Sequence, residues 1–517
     1  MRFLVCFIFS FVIVAESKCM SKTFPGPENN SVCVCNSTYC DAIEEIEIVP
    51  HKIYVYESTL GGKRLELRKD ELKFSREIIN ITIKFDNSKK FQKVFGFGGA
   101  FTDSVGINLL KLSKNTQKKL LYSYFNPKGG IGYTFGRVPI ASTDFSTRIY
   151  SYNDIAEDFE LQNFRLQVED FKYKIPFITD ANQMAGNKLK LVGSPWSAPA
   201  WMKASHNMTG IGGLIGDVKG KYYSTWATYF VKFLKEYAKA GIKFWGITIQ
   251  NEPSSGLLPH YYWQTMAMDA KTQVAFVRLH LMPALNKSIY SNKLKIMAHD
   301  DNRPGLLTAA LEIMNDKEGS KLIDGYAVHW YMDDYGHLSR LNETHAIDES
   351  KFILNTEACN GFRSPLRGVW LGSWARAERY AKDIIETLNN WSTGWIDWNL
   401  CLDVTGGPTW AKNNVDSPII VIPQNDTFYK QPMFYAIGAF SRFIPPNSIR
   451  LHSWMEGTNY RDLSFTSLLT PQNVTILVLL NRGNNEIALS LDDVEKNLTK
   501  MVSLASRSIT TILWNSL

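Results

Sequence analysis

Two glutamates stand directly after apolar runs that are typical of buried strands. Glu252 closes the segment Trp245-Gly-Ile-Thr-Ile-Gln-Asn-Glu, and Glu357 closes Phe352-Ile-Leu-Asn-Thr-Glu. Cleavage of a glycosidic bond with retention needs one carboxylic acid to protonate the leaving oxygen and a carboxylate about 5 to 5.5 Å away to attack the anomeric carbon. Two glutamates on separate strand ends meet that requirement. Because Pro253 disfavours helical backbone at Glu252, we expect an extended conformation there.

Aromatic and polar side chains near the same strand ends favour this interpretation over a structural one. An isolated glutamate is commonly a surface-loop residue or an ion-pair partner. Sugar rings present apolar C–H faces and a rim of hydroxyl groups, so their binding sites combine stacking aromatics with hydrogen-bonding side chains. That mixture is supplied by Asp144, Trp196, Asn251, Tyr331, Trp398 and Asn413. The sequence therefore predicts a carbohydrate site.

Other chemistries have weaker support. The sequence contains no G-x-S-x-G elbow, no H-E-x-x-H zinc motif and no dinucleotide-binding fingerprint. Gly96-Phe-Gly-Gly lacks the Gly-Lys-Ser/Thr ending of a phosphate-binding loop, so these glycines indicate close backbone approach. His329 has no partner at metal-ligand spacing, and a hydrogen-bonding role is expected for it. We expect no metal and no organic cofactor.

The candidate residues need a scaffold that brings strand ends together. Between about residues 90 and 445, short β-type runs alternate with segments of helical pattern, which predicts βα units around a parallel sheet. In a (β/α)₈ barrel, the carboxyl ends of the strands form the active-site face. Predicted strands cover 95–99, 132–140, 189–194, 244–249, 295–298, 326–328, 352–354 and 395–397. An amphipathic helix is predicted at 224–240.

The two ends of the chain have a different pattern. After about residue 446, alternating strands such as 474–480 and 509–514 follow one another without a long helix. The stretch 47–90 has the same character, including runs at 52–58 and 79–85. We expect these two regions to pair into one β-sandwich. A length of 517 residues suits one large catalytic domain with smaller ones.

The N-terminus indicates a secretory route. Met1-Arg2 and the apolar run 3–15 have the form of a signal peptide ending near residue 17, and no later run is long enough to span a bilayer. Ten Asn-x-Ser/Thr sequons support a glycoprotein. They lie at Asn29, Asn36, Asn80, Asn207, Asn286, Asn342, Asn390, Asn425, Asn473 and Asn497.

Cysteine spacing fits an oxidising compartment. Cys6 leaves with the signal peptide, and Cys19, Cys33, Cys35 and Cys40 crowd the new N-terminus. Two disulfides are expected, with three connectivities open, and a zinc site is less well supported by the spacing. Cys359 and Cys401 are expected to be buried thiols. The formal charge of +7 is scattered, which indicates solubility or attraction to anionic lipid and gives no nucleic-acid signature.

Many short segments, in order along the chain, resemble the acid glucosylceramidases of glycoside hydrolase family 30. The similarity includes Gly96-Phe-Gly-Gly-Ala, Arg137-Val-Pro, Asp144-Phe-Ser, Asn251-Glu-Pro-Ser and Ala327-Val-His-Trp-Tyr. It continues through Gly394-Trp-x-Asp-Trp-Asn-Leu and Phe428-Tyr-Lys-Gln-Pro-Met-Phe-Tyr. It runs from the first mature cysteine to the final strand.

The resemblance implies a domain plan and two disulfide pairings. After the signal peptide, taken as 1–17, it implies a disulfide-bearing β segment at 18–46, a β-sandwich from 47–92 with 446–517, and a (β/α)₈ barrel at 93–445. It also implies that Cys19 pairs with Cys33 and Cys35 with Cys40.

The resemblance also implies residue roles. Glu252 matches the acid/base and Glu357 the nucleophile. The glucose would be held by Asp144, Trp196, Asn251, Trp398 and Asn413. Arg137, His329 and Tyr331 would support the carboxylates, and Tyr261 and Trp263 match the aromatic wall at the pocket mouth. Trp263 departs from the family, which more often has phenylalanine there.

The implied activity is hydrolysis of glucosylceramide to glucose and ceramide in the lysosome lumen, with plain secretion as the second choice. A saposin-type activator and an anionic phospholipid surface are implied as partners. The loops at 260–263, 331–336 and 405–410 differ from the family, and such differences bear on lipid access and activator use. The alternatives are a related glycosidase acting on another β-linked glycan and a catalytically silent glycolipid binder.

Overall fold

The computed structural model describes residues 18–49, 52–71, 80–291, 293–458, 460–494 and 498–515. The predicted signal peptide with Cys6 and the sequon at Asn497 lie outside the described residues. The strands are β1 Ser21–Phe24, β2 Asn30–Asn36, β3 Lys52–Thr59, β4 Glu66–Glu71, β5 Ile81–Lys93, β6 Gly96–Ala100, β7 Phe135–Ile140, β8 Lys190–Pro195, β9 Gly246–Thr248, β10 Lys295–Asn302, β11 Gly325–His329, β12 Phe352–Glu357, β13 Ser392–Asn399, β14 Leu402–Asp403, β15 Ile419–Ile422, β16 Thr427–Lys430, β17 Ile449–Gly457, β18 Leu463–Leu469, β19 Val474–Asn481, β20 Ile487–Asp493, β21 Leu498–Leu504 and β22 Ser508–Asn515.

The α-helices are α1 Asp103–Leu110, α2 Lys114–Phe125, α3 Ile175–Met184, α4 Lys221–Lys239, α5 Ala270–Phe276, α6 Met282–Asn286, α7 Leu306–Met314, α8 Lys317–Ser320, α9 Ser339–Ile347, α10 Trp374–Asn389 and α11 Pro432–Ser441. Helix α4 covers the predicted amphipathic segment 224–240 except for its last residue, Ala240, which caps the helix. Its apolar stripe, including Trp226, Phe230 and Tyr237, is buried as core. Among the described residues no helix has the length and apolar character needed to cross a membrane.

Strands β6 to β13 form the predicted barrel. All eight are parallel, and β13 pairs with β6 to close the ring. Buried apolar side chains inside the ring, such as Phe135, Val192 and Ile396, fill its interior. The carboxyl ends of all eight strands therefore meet at one rim.

A nine-stranded sheet joins the two ends of the chain, as predicted. Its order is β21-β20-β5-β17-β18-β19-β22-β3-β4. Side chains from opposite parts of this sheet share one core, where the Phe85 and Trp514 rings lie 5.4 Å apart. The sheet thus folds over on itself as a β-sandwich. It contacts the barrel through α10 and α11, where for example Thr511 Oγ1 donates to the Ala439 carbonyl at 2.7 Å.

The N-terminal sheet carries both implied disulfides, Cys19–Cys33 and Cys35–Cys40. Its order is β1-β2-β16-β15-β14, so three of its five strands come from residues 402–430. From the sequence, that part of the chain was expected to belong to the barrel, and its pairing with β2 was not predicted. Cys359 and Cys401 are free and buried, as expected.

Candidate active site

Glu252 and Glu357 converge at the rim of the barrel. One carboxylate oxygen of each lies within 4.8 Å of the other, and the same limit holds to a ring nitrogen of His329. Both side chains are largely buried, with 14% of Glu252 and 8% of Glu357 exposed. An approach this close is compatible with the roughly 5 to 5.5 Å between the carboxyl groups of retaining glycosidases and leaves less room than the roughly 6.5 to 9.5 Å that inverting enzymes need for a water molecule.

The backbone at Glu252 differs from the sequence expectation. The prediction of an extended residue at the strand tip is wrong, because Glu252 has φ 41° and ψ 58°, in the left-handed region. Strand β9 ends at Thr248, and Glu252 lies in the turn that leads into a short helical turn beginning at Pro253. Its N–H donates to the Asp300 carbonyl at 2.9 Å. This tertiary hydrogen bond outweighs the local preference for extended backbone before proline.

The Glu252 carboxyl group is held by two side chains. Tyr261 donates its hydroxyl to Oε2 at 3.0 Å, and His329 Nδ1 lies 3.1 Å from Oε1. Burial raises the pKa of Glu252, the hydrogen bond and charge of His329 lower it, and the negative charge of Glu357 raises it again. The net effect is a raised pKa, which suits a proton donor.

The Glu357 carboxylate ends strand β12 and faces different partners. Arg137 donates from Nη1 to Oε2, and Tyr331 donates its hydroxyl to Oε1 at 2.7 Å. The Arg137 guanidinium group is completely buried, and its other nitrogens donate to Ser194, Asn251 and Asp300. A buried cation at bonding distance stabilises the charged form of a carboxylate, as a nucleophile requires.

His329 lies between the acid pair and a further aspartate. Its Nε2 is 3.0 Å from Asp300 Oδ1, opposite the contact with Glu252. Burial lowers the pKa of His329, but the charges of Glu357 and Asp300 and the two hydrogen bonds outweigh it and raise the pKa to about 10. A protonated imidazole has no free lone pair for a metal, and Arg137 already pairs with Glu357. This donor set does not fit a metal ion and agrees with the hydrogen-bonding role expected for His329.

The predicted glucose-side residues also come together. Asn413 Nδ2 donates to Asp144 Oδ2 at 2.8 Å. The Trp196 and Trp398 rings stack with centroids 5.1 Å apart, and the Arg137 guanidinium lies 4.9 Å from the Trp196 ring. Burial raises the pKa of Asp144 to about 7, the Asn413 hydrogen bond lowers it, and the charges of Glu357 and Glu252 add to the increase. Hydroxyl acceptors and flat apolar faces thus stand beside the carboxylate pair.

Tyr261 and Trp263 stand together on the loop that follows Glu252. Their ring centroids are 4.8 Å apart at 61°. The residue between them, Tyr262, is 60% exposed and lies parallel to Trp410, with centroids 6.4 Å apart. The structure therefore has an aromatic wall beside Glu252, and it pairs Tyr262 with Trp410, from two of the loops that were expected to bear on lipid access.

Asp300 is the main site residue that the sequence analysis missed. It lies two residues after the predicted run 295–298 and was given no role there. Strand β10 extends four residues beyond the predicted run, so Asp300 and Asp301 lie within the strand. Thr248 and Thr356, which donate to Asp300, were also missed. Threonines next to an apolar run carry no signal that separates them from ordinary strand residues.

The chain is similar to known glycosyl hydrolases over nearly its whole length. Residues 94–444 match the glycosyl hydrolase family 30 TIM-barrel domain, and residues 447–512 match the family 30 β-sandwich domain. The chain is 45% identical to putative glucosylceramidase 3 of Caenorhabditis elegans, over 97% of this chain and 95% of the relative. It is 42% identical to lysosomal acid glucosylceramidase of Mus musculus, over 96% and 95%. The crystal structure of SrfJ from Salmonella typhimurium superposes with a TM-score of 0.82 and 28% identity, covering 90% of this chain and all of that one.

Proposed function

The chain belongs to glycosyl hydrolase family 30, and on that premise we propose that it is a retaining, exo-acting β-glucosidase that hydrolyses glucosylceramide to glucose and ceramide. The observation that carries the proposal is the approach of Glu252 and Glu357 to within 4.8 Å at the barrel rim. Substrate identity rests on similarity to relatives named as glucosylceramidases over nearly the whole chain.

The two glutamates have distinct roles in the proposed reaction. Glu357 attacks the anomeric carbon with a carboxylate lone pair while Glu252 transfers its proton to the departing ceramide oxygen. A covalent glucosyl ester on Glu357 results. Glu252, now ionised, removes a proton from water as the water oxygen attacks the same carbon, and β-glucose leaves with both carboxyl groups restored.

Side chains around the pair hold the sugar. Asp144 accepts hydrogen bonds from glucose hydroxyls, and Asn413 donates hydrogen bonds to them. Asn251 lies next to the acid Glu252. Trp196 and Trp398 offer apolar faces to the sugar ring. Arg137, His329 and Tyr331 orient the carboxyl groups. Tyr261 and Trp263 contact the substrate where the ceramide begins. The scheme uses no metal and no organic cofactor.

The proposed partners are an anionic phospholipid surface and a saposin-type activator protein, and we propose no nucleic-acid partner. Support for the lipid surface comes from large apolar side chains on the loops that follow the barrel strands. At least 44% of each side chain is exposed in Leu257, Leu258, Tyr262, Met332, Tyr335 and Leu366. Several exposed apolar side chains on one rim are typical of interaction surfaces, and the formal charge of +7 favours anionic lipid. The activator rests on resemblance alone.

We further propose a glycoprotein of the lysosome lumen that reaches it through the secretory pathway and associates peripherally with membrane. The mouse relative is named as lysosomal, and the two disulfides fit an oxidising route.

The proposal is tested by trapping. The protein is incubated with a slow 2-deoxy-2-fluoro β-glucoside, and the labelled peptide is mapped by mass spectrometry while turnover of glucosylceramide in anionic vesicles is measured at acidic pH. The expected result is a single ester on Glu357, β-glucose as first product, and no effect of chelators on turnover. Labelling at another residue or an inverted product would overturn the mechanism. Turnover of other β-glycans but not glucosylceramide would favour a related glycosidase, and no turnover at all would favour a silent binder.

A further inference from the structure

Strand β10 contains a bulge at the active-site rim. In its pairing with β11, His299 lies opposite Ala327 and Asp301 opposite Val328, so Asp300 is an extra residue without a cross-strand partner. His299 and Asp300 have φ 74° and 48°, both in the left-handed region. Such backbone costs about 1 to 3 kcal/mol per non-glycine residue and persists where the surroundings impose it. Here it directs Asp300 into the barrel interior, where its side chain is completely buried.

The buried Asp300 carboxylate accepts four hydrogen bonds. Thr356 Oγ1 donates to Oδ1 at 2.7 Å, and His329 Nε2 lies 3.0 Å from the same oxygen. Thr248 Oγ1 donates to Oδ2 at 2.6 Å, and Arg137 Nη2 donates to it at 2.8 Å. Arg137 and His329 hold the pKa of Asp300 far below its usual range, although burial acts in the opposite direction. These contacts favour the ionised form of Asp300, and each of its carboxylate oxygens accepts two hydrogen bonds.

Each cation held by Asp300 reaches one of the two glutamates. Arg137 spans from Asp300 to Glu357, and His329 spans from Asp300 to Glu252. The main chain adds a third link, because the Asp300 carbonyl accepts the Glu252 N–H. Thr356, which immediately precedes Glu357, adds a fourth. Asp300 is thus the shared neighbour of both carboxyl groups, while its own carboxylate oxygens are occupied by Arg137, His329 and two threonine hydroxyls.

We propose that Asp300 is the positioning residue that sets the separation of Glu252 and Glu357, by anchoring Arg137 against one and His329 against the other. The inference rests on the proposed function, since it concerns the same pair of carboxyl groups. Positioning of this kind affects the reaction step more than substrate binding, because misplacement by about 1 Å costs about 100-fold in rate.

The change Asp300→Asn probes this role with nearly the same shape. In the parent, all four neighbours donate to the Asp300 carboxylate, two to each oxygen. In the variant one oxygen is replaced by an NH₂ group, which is itself a donor, so two of the four neighbours lose their acceptor. Arg137 and His329 also lose a full negative charge. The imidazole of His329 should then release its proton at lower pH than in the parent, because the charge of Asp300 is one cause of its raised pKa. The other groups that face His329 are Glu252 after β9, Glu357 on β12, His299 on β10 and Tyr331.

Asp170→Asn is the matched control. Asp170 is completely buried, pairs with the buried Lys174 at 3.0 Å and accepts from the Tyr152 and Tyr237 hydroxyls at 2.7 Å. It therefore resembles Asp300 in burial, cation and hydroxyl partners, but it contacts neither glutamate. Its substitution should lower thermal stability without selective loss of kcat.

The experiment compares kcat and KM on a soluble aryl β-glucoside for parent, Asp300→Asn and Asp170→Asn, with the melting temperature of each. The titration of His329 is followed by NMR of ¹³C-labelled histidine, assigned with His329→Gln. We expect Asp300→Asn to lower kcat by about 100-fold with KM within about threefold, and to move the His329 titration to lower pH. A kcat within threefold of the parent, or equal losses in both aspartate variants with an unmoved His329 titration, would overturn the proposal.

Two further measurements keep the outcomes distinct. If Asp300→Asn does not fold, Thr356→Val removes one hydrogen bond to Asp300 and keeps its charge, and a selective fall in kcat is again expected. Unchanged kcat in that variant would count against positioning. If the parent cleaves no glucoside, the proposed function fails on that result alone. The His329 titration still tests the anchoring by Asp300, because it requires no substrate.

Discussion

Replacing Glu252 by glutamine should separate proton donation from every other property of the site. The two contacts of the carboxyl group, to the Tyr261 hydroxyl at 3.0 Å and His329 Nδ1 at 3.1 Å, involve one oxygen each. A glutamine amide has the same shape and retains an oxygen for one of them. The variant should therefore fold normally, bind glucosides and keep Glu357 in place, while it cannot give a proton to the leaving oxygen.

The size of the effect depends on the leaving group. General acid catalysis contributes about 10²- to 10⁴-fold, which corresponds to about 3 to 5 kcal/mol of transition-state stabilisation. Ceramide is a poor leaving group, so kcat/KM on glucosylceramide should fall by about that factor. A dinitrophenol departs without a proton, so the first step on its glucoside should slow by less than about tenfold. The second step also needs Glu252 as a base, so a burst of dinitrophenol should precede slow turnover.

The assay is stopped-flow release of dinitrophenol alongside steady-state hydrolysis of glucosylceramide. Added azide, a nucleophile that needs no base, should restore turnover and yield β-glucosyl azide. In the parent, activity requires protonated Glu252, so it should fall as the pH rises through the raised pKa of Glu252. The glutamine variant has no such proton to lose, so its burst rate should not show this fall. Glu378→Gln is the control, since Glu378 is buried and bonded to Arg507 at the sandwich interface. Equal losses on both substrates, or no rescue by azide, would refute the acid/base assignment.

Two further predictions concern the sugar and the lipid. Because burial raises the pKa of Asp144 to about 7, its carboxylate is charged above that pH, and there Asp144→Asn removes a charged hydrogen-bond acceptor worth about 1.5 to 3 kcal/mol. In that pH range kcat/KM on soluble and lipid glucosides alike should fall by about 10- to 150-fold, with a smaller loss at acidic pH, and an unchanged value would exclude Asp144 from glucose binding. The double variant Leu257→Gln with Leu258→Gln should lower turnover of glucosylceramide in anionic vesicles and leave turnover of a soluble aryl glucoside unchanged. The control is Leu311→Gln, which changes a 51% exposed leucine on α7 and should affect neither activity. Equal turnover in vesicles would place the lipid contact elsewhere.

The strand ends were predictable because the barrel is regular. Each run that was predicted to be a barrel strand lies within or overlaps one of β6 to β13, whose carboxyl ends share one rim. A parallel strand buried on both faces reads as a continuous apolar run, and its end is marked where polar residues begin. For that reason Asp144, Trp196 and Glu357 could be brought to one site from spacing alone.

What the sequence could not predict depends on contacts between distant segments. The left-handed backbone of Glu252 follows from its hydrogen bond to the Asp300 carbonyl, 48 positions away, whereas the local signal from Pro253 indicated extended backbone. The bulge at Asp300 likewise has no marker in Ala298-His-Asp-Asp. Strand β16 pairs with β2 across nearly 400 residues, and short strands of this kind have too few residues to reveal a partner.

The charges around Glu252 explain how this residue can act first as an acid and then as a base during one turnover. Arg137 and protonated His329 supply two positive charges, and ionised Asp300 and Glu357 supply two negative ones. Ionisation of Glu252 would add an uncompensated negative charge in a buried site, so the free enzyme favours Glu252 as a neutral acid. When Glu357 becomes an ester it loses its charge, and one positive charge is left without a partner. That excess favours ionised Glu252, the form that activates water, so the proton affinity of Glu252 should fall when the ester forms.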